Sequence, residues 1–121
     1  MKIQKALLKK LSFPDFIVQK MTFFELKKRI EIYLNGAYLD INDGKLFASG
    51  NLFFYDYQKI EAKLYDNDKW IDLNPQNYDS LKSIEEFIYI NDNVYIKGFG
   101  KKTGKWIEYK IVSPKIEANF I

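Results

Sequence analysis

The amino-acid sequence predicts an α+β fold, a β-dominated antiparallel meander with an N-terminal helix and a short inserted helix near residues 78–86. Three observations carry this. Apolar and polar residues alternate through most of the chain after about residue 29, the period of half-buried strands. Short turn sequences such as Asn35-Gly36 and Asp43-Gly44 punctuate that alternation. Helical spacing marks the first dozen residues, and the pattern changes character after Pro75. At 121 residues, with 47% hydrophobic and 17% aromatic side chains, the chain can bury one core and is expected to form a single domain over 1–121.

Residues 2–12 read as an amphipathic helix, with Ile3, Ala6, Leu7, Leu8 and Leu11 on one face and Lys2, Lys5 and Lys9 off it. Phe13-Pro14 ends it, because a residue before proline is pushed out of the α region. Residues 16–28 fit both periods and stay open. "IEIYLNGAYLDI" is two alternating runs joined by Asn35-Gly36, which supplies the positive φ of a type I′ hairpin turn. "LDINDGKLF" repeats the device at Asp43-Gly44, and in "LFASGNLFFYDY" Gly50 marks a bulge or bend within a long strand. "KIEAKLYDNDKWIDL" turns at residues 66–69. Pro75 breaks that strand, and the helix near 78–86 starts at Asp79 or Ser80. "FIYINDNVYIKGF" is a hairpin about residues 91–93, followed by "KWIEYKIV"; Pro114 stops that strand and "KIEANFI" adds a last edge strand.

The stretch "GFGKKTGKW" raises the possibility of a phosphate loop. A P-loop needs glycine five positions before the Gly-Lys pair and a hydroxyl after it; here those positions are Phe99 and Trp106. A dinucleotide motif fails as well, because Thr103 stands where the third glycine belongs and a strand pattern follows. The glycines therefore serve a turn between two strands, with Lys101, Lys102 and Lys105 at its tip. "DINDG" carries its glycine one position early for a calcium loop and has Asn51 in place of the final glutamate. "DND" with Asp72 offers oxygen ligands to a hard cation, but acidic turns of this kind are common without one, and no metal is expected.

Cysteine and histidine are both absent. That removes disulfides, thiolate nucleophiles, zinc–sulfur sites, imidazole bases and a histidine switch near neutral pH. The serines lie in no nucleophile-elbow setting, and nothing singles out a carboxylate pair among sixteen acids. The expectation is a protein that is not an enzyme and uses no cofactor. No apolar run approaches a membrane span, and Lys9 and Lys10 interrupt the N-terminal apolar stretch, so a cytoplasmic protein is expected. Lysines outnumber arginines 18 to 1, and with Ile, Asn, Tyr and Phe they give the composition of a low-GC bacterial genome.

Net charge is only +3, but it is unevenly spread. Residues 61–92 hold eight acids and three lysines, a net of −5, and each flank carries +4. Such asymmetry can mark an interaction face. A second candidate surface is "LFFYDY", where Phe53, Tyr55 and Tyr57 share one face of a strand, as in stacking platforms for single-stranded nucleic acid. Alternating aromatics are also ordinary strand formers.

The C-terminal stretch "YIKGFGKKTGKWIEYKIVSPKIEANF", with the Lys/Ile/Asn/Tyr-rich strand pattern, resembles small bacterial immunity proteins encoded beside polymorphic and contact-dependent inhibition toxins. The resemblance implies a cytoplasmic protein that binds one cognate toxin domain and blocks its active site, without catalysis or cofactor. The acidic middle segment is compatible with this, since it can mimic a phosphate backbone toward a basic nuclease groove and speed association. Asp66, Asp68, Asp72, Asp79, Glu85 and Glu86 are then the partner-binding acids, with Trp70 and Tyr78 as aromatic anchors. Known inhibitors of nuclease toxins are often acidic overall, and this chain is basic. The alternative reading is a small nucleic-acid-binding β module built on Phe53, Tyr55 and Tyr57 with the lysines.

Overall fold

A computed structural model, which describes residues 1–121, arranges the chain as three antiparallel sheets. The four-stranded sheet runs β12 (Lys115–Phe120), β6 (Gly50–Tyr55), β3 (Arg29–Leu34) and β2 (Val18–Phe24). The five-stranded sheet runs β8 (Lys69–Leu73), β7 (Lys59–Asp66), β11 (Trp106–Val112), β10 (Asn93–Phe99) and β9 (Glu86–Ile90). A small third sheet joins β1 (Leu11–Ser12), β4 (Ala37–Leu39) and β5 (Lys45–Phe47).

The expected β dominance and antiparallel pairing are present. The helical half of the prediction is much reduced: helix is limited to 3-10 segments at Lys5–Lys10, Glu25–Lys27 and Pro75–Asn77. At the N-terminus Ile3, Leu8 and Leu11 of the expected apolar face are buried, but Leu7 is half-buried and Ala6 exposed. The helix is a short 3-10 segment that leaves Ile3 and Leu11 outside it. The Ile3 N–H donates to Ala118 O, and Leu11 already pairs with Leu39 of β4. No helix forms over 78–86. There the Lys82 N–H donates to Phe99 O, the Glu85 N–H to Lys97 O, and Lys82 O accepts from the Val18 N–H. A helix this short gains little against its nucleation cost, whereas pairing with strands on both sides satisfies the same groups at once.

Consecutive strands pair in five hairpins, but the chain is not a simple meander. It changes sheet at five places, so that β4–β5 is inserted between β3 and β6, and the whole five-stranded sheet between β6 and β12. Asn35-Gly36 is one of these corners and not the expected I′ turn, for neither residue has positive φ. Asn35 is instead tied to the chain before β2, its Oδ1 accepting from the Ile17 N–H at 2.8 Å. Gly36 is needed for space: a Cβ there would stand 2.3 Å from the Phe16 ring and 2.7 Å from Phe47 O. Two hairpins do take the I′ form. Asn67 and Asp68 (φ 50° and 62°) link β7 to β8, and Asn91 and Asp92 (φ 52° and 61°) link β9 to β10. In each, a tyrosine three residues before the second turn aspartate donates to it, Tyr65 to Asp68 at 3.1 Å and Tyr89 to Asp92 at 3.2 Å.

The alternation of β3, β10 and β11 puts every second residue into one cluster of 25 buried side chains fed by all three sheets. Phe23 of β2 packs on Tyr109 of β11 at 5.3 Å between ring centres. Phe13 bridges Phe87 of β9 and Phe120 of β12, and Phe47 of β5 meets Phe120. These ring contacts join the two larger sheets and close one end with the third.

Gly50 sits where the chain leaves β5 and enters β6, so the expected bend is a change of sheet. A Cβ there would lie 2.3 Å from Asn119 O and 2.2 Å from the Phe120 ring. Since the obstacle is partly backbone, Gly50→Ala is expected to cost about 2 kcal/mol by forcing β12 away from β6. Urea unfolding of the two proteins measures this, and equal midpoints would refute it.

Candidate functional site

The glycine-rich loop between β10 and β11 does cradle an anion, and the anion is the protein's own Asp79. The N–H groups of Lys102 and Thr103 and the Thr103 hydroxyl donate to the Asp79 carboxylate at 3.0–3.1 Å. Gly100 lets the carboxylate in, since a Cβ there would be 2.3 Å from Oδ2. The Asp79 N–H donates to the Tyr109 hydroxyl at 2.8 Å, and that hydroxyl donates to Asp79 O at 2.6 Å. Asp79 is the one buried charged residue, and all of these bonds are internal. It is therefore a structural anchor, not the partner-binding acid that the sequence suggested. Tyr78 is half-buried, tilted against Phe23 and edge-on to Tyr109, and it too faces inward.

The remaining predicted acids are divided between two edges. Because residues 74–85 carry the chain across the sheet, β8 and β9 lie on opposite sides of the five-stranded array. Asp66, Asp68, Trp70 and Asp72 belong to the β8 edge. Glu85 and Glu86 belong to the β9 edge, Glu85 accepting from the Ser83 hydroxyl and Glu86 pairing with Lys97 at 3.4 Å. The acidic middle of the sequence is not one acidic face. Asp66 is paired with Lys105 at 3.0 Å, Asp68 accepts from Tyr65, and the three aspartates do not converge as a metal-binding group.

Pairing registers bring together side chains that sequence reasoning left apart. On the outer face of the five-stranded sheet, Trp70, Tyr65, Trp106 and Phe99 stand side by side across β8, β7, β11 and β10. Tyr65 meets Trp70 edge-on at 5.1 Å, and Phe99 meets Trp106 edge-on at 5.2 Å. Trp70, Phe99 and Tyr65 remain 48%, 44% and 39% exposed, so this is an aromatic stripe open to solvent and not part of the core. The next row alternates in charge: Asp72, Lys63, Glu108, Lys97 and Glu86. Lys63 reaches both rows, 3.8 Å from the Glu108 carboxylate and 4.5 Å from the centre of the Trp70 ring. The Trp106 indole N–H donates to Glu108 at 2.9 Å. Farther along, the hydrogen bond from Lys59 holds the Glu61 carboxyl below its usual range. A shallow concavity of about 530 Å³ lies over these charged rows, between Glu61, Lys63, Asp72, Tyr95, Lys97 and Lys110.

Tyr65, Phe99 and Trp106 are the members that sequence reasoning missed. The signal available was their place at hairpin ends, Tyr65 opposite Trp70 about a two-residue turn and Phe99 opposite Trp106 about the glycine loop. The pairing of β7 with β11, which fuses the two pairs into one row, has no local signature.

The nucleic-acid platform is only partly assembled. Phe53 and Tyr55 lie on the outer face of the four-stranded sheet, with the Arg29 guanidinium 5.0 Å and 5.4 Å from their ring centres. Arg29 is engaged by Glu31, and Tyr55 is pushed up to about 12, by burial first and by a hydrogen bond to Glu117 next. Tyr57 does not share that face: Asp56 takes φ 54°, the strand ends, and Tyr57 turns into the core.

No protein-family model matches the chain, and neither does any curated protein or solved structure. No helix is long and apolar enough to cross a membrane.

Removing the Asp79 carboxylate leaves three part-buried donors without their acceptor and opens a gap beneath the loop. Asp79→Ala is expected to destabilise the protein by about 3 kcal/mol, read as a lower urea midpoint; an unchanged midpoint would show that the loop stands without its anion. A second expectation concerns alkaline pH. Burial raises the Tyr109 phenol above its ordinary value. Its neutral form thus adds stability that is fully present below the unfolded pKa of about 10 and is lost as pH climbs toward the folded value. Stability measured from about pH 8 to about pH 11 should fall toward the alkaline end, and less steeply in Tyr109→Phe. Parallel curves would remove Tyr109 as the cause.

Proposed function

We propose that this protein is a non-catalytic, stoichiometric binder of the immunity type, which neutralises a cognate toxin domain by docking it on the outer face of the five-stranded sheet. The observation that carries the reading is the exposed row Trp70–Tyr65–Trp106–Phe99, flanked at its β8 end by the carboxylates of Asp68 and Asp72. Large aromatics with polar handles dominate binding energy when a partner excludes water from them, and a rim of charges selects the partner. The row sits on paired strands, so its rings are ordered before binding and little entropy is lost on docking. The alternating charges beside it offer both signs to a protein surface, which favours a protein partner over a polyanion.

The resemblance of the C-terminal third to immunity proteins supports a toxin as that partner. The interface proposed is narrower than the acidic segment 61–92. Asp68, Trp70 and Asp72 stay in it, and Glu86 closes the far end of the charged row. Asp66 is set aside on the inner side of the turn by its pairing with Lys105, and Asp79 and Tyr78 hold the scaffold beneath. A partner with a basic active-site groove fits the β8 end, and its capture in the cytoplasm of the producing cell needs no cofactor.

The test is affinity capture from the native cell, with and without nuclease treatment, followed by co-expression of the captured protein with this one. One protein recovered near one-to-one in both halves, toxic alone and harmless in co-expression, is the expected result. Trp70→Ala combined with Trp106→Ala should keep the fold by circular dichroism and weaken that complex at least tenfold, or about 1.4 kcal/mol. Recovery of nucleic acid alone, or full protection by the double variant, would defeat the reading.

A further inference from the structure

The sheet edges of this protein are not treated alike. β9 is covered by the segment Lys5–Lys10, with Lys5 bridged to Asp92 at 3.5 Å. β12 is covered by the N-terminus, through Ile3 N–H to Ala118 O and Phe120 N–H to Met1 O. β2 is flanked by residues 80–82, Val18 N–H donating to Lys82 O and the Ser80 hydroxyl to Met21 O. β8 pairs with β7 on one side and takes no backbone hydrogen bond on the other. β9 also takes no backbone bond on its outer side, but the Lys5–Lys10 segment packs against it, so β8 is the one edge of the two larger sheets without a covering segment.

The hairpin geometry says which groups face outward. In a two-residue I′ hairpin the residues flanking the turn, here Asp66 and Lys69, exchange both ladder bonds, and the pattern then alternates. Lys69, Ile71 and Leu73 therefore turn their N–H and C=O groups to β7, while Trp70 and Asp72 turn theirs to solvent. The side chains divide as well. Trp70 and Asp72 lie on the outer face, and Lys69, Ile71 and Leu73 on the inner one, where Ile71 is 47% exposed. Among the charges near this edge, Lys63 is held over Trp70 and Lys105 is paired with Asp66. The Asp72 carboxylate has no ion-pair partner, and Asp68 has only the Tyr65 hydroxyl.

We propose that β8 is a β-augmentation site, which takes an extended segment of a partner protein bearing Lys or Arg on one side and apolar residues on the other. Backbone pairing runs through the N–H and C=O of Trp70 and Asp72. The basic residues of the incoming strand lie beside Asp72 and Asp68, and its apolar residues cover Ile71. The proposal deepens the binding reading above, since it says how the β8 end of the face is engaged, and its charge argument rests on that same acidic corner.

The first probe is a short capped peptide alternating valine and lysine, added to the whole protein and followed by amide NMR. Slowed hydrogen exchange confined to the Trp70 and Asp72 amides, with Lys69 and Ile71 unchanged, is the expected signature. Asp72→Pro removes an outward donor while sparing the β7 ladder, so it should lower peptide affinity at least tenfold below that of Asp72→Asn, which loses only the charge. A valine–glutamate peptide should not bind. No protection at Trp70 and Asp72, or equal affinities of the Pro and Asn variants, overturns the proposal. Protection that grows with protein concentration before any peptide is added overturns it in favour of a second copy of this chain. The captured partner separates this from the functional reading. If its complex leaves the Trp70 and Asp72 amides exchanging freely, the edge proposal falls and the immunity reading stands. If the peptide binds the edge but no toxin is captured, the reverse holds.

Discussion

One buried carboxylate holds the crossing segment of this protein in place. Asp79 accepts bonds from the backbone and hydroxyl of the β10–β11 loop, and its own backbone is tied to Tyr109 in the core. A charge removed from water is tolerated only when donors replace its hydration, and here the nest of N–H groups in the glycine loop does so. The same crossing bonds to β2 through Ser80 and Lys82, and to β10 through Lys82 and Glu85. Residues 74–85 thus stitch the two large sheets together, with Leu81 and Ile84 as their buried apolar share.

That crossing also decides what the surface can do. By carrying the chain from one edge of the five-stranded sheet to the other, it separates Asp68 and Asp72 from Glu85 and Glu86. It also leaves the outer face of the sheet unobstructed, because the crossing runs beneath. The charges on that face are largely neutralised by cross-strand neighbours, Lys63 with Glu108, Lys97 with Glu86 and Lys110 with Glu61. Exposed pairs of this kind contribute little stability each. Their consequence is a face of near-zero net charge, on which the aromatic row is the main exposed apolar feature.

Local rules made part of this legible in the sequence. The hairpins at Asn67-Asp68 and Asn91-Asp92 formed where polar turn residues interrupted alternation, because both positive φ values are met by Asn and Asp within four residues. The glycine loop likewise reads as a hairpin tip because it interrupts two alternating runs, and Asp68 lies in the turn that Trp70 and Asp72 follow. Asn35-Gly36 shows where such reasoning stops. The dipeptide has the same local preference as a true I′ turn, but its flanking strands pair with other partners, and tertiary pairing overrode it. Residues 78–86 failed similarly, since their backbone bonds go to strands distant in sequence. The site was legible only in fragments: each half of the aromatic row is a hairpin pair, but the register of β7 against β11 is set by the whole fold.

The corner at β8 joins the two surface features that the fold leaves unused. A bare strand edge invites indiscriminate pairing, which proteins usually prevent with proline, bulges, charge or a cover. Three of the four large-sheet edges are at least partly covered by this chain's own segments, so the fold has the means to protect edges and leaves this one free. What β8 carries instead is charge, with Lys69 on its inner side and Asp72 on its outer side, and a length of five residues. Those features resist stacking of like chains without closing the edge to a complementary strand. The aromatic row begins at the same strand, with Trp70 contributing its ring to the face and its backbone to the edge. A partner strand laid along β8 would continue the sheet and bring its own side chains level with Trp70 and Tyr65. Face and edge would then be covered by one continuous partner surface, a larger and more selective contact than either provides alone.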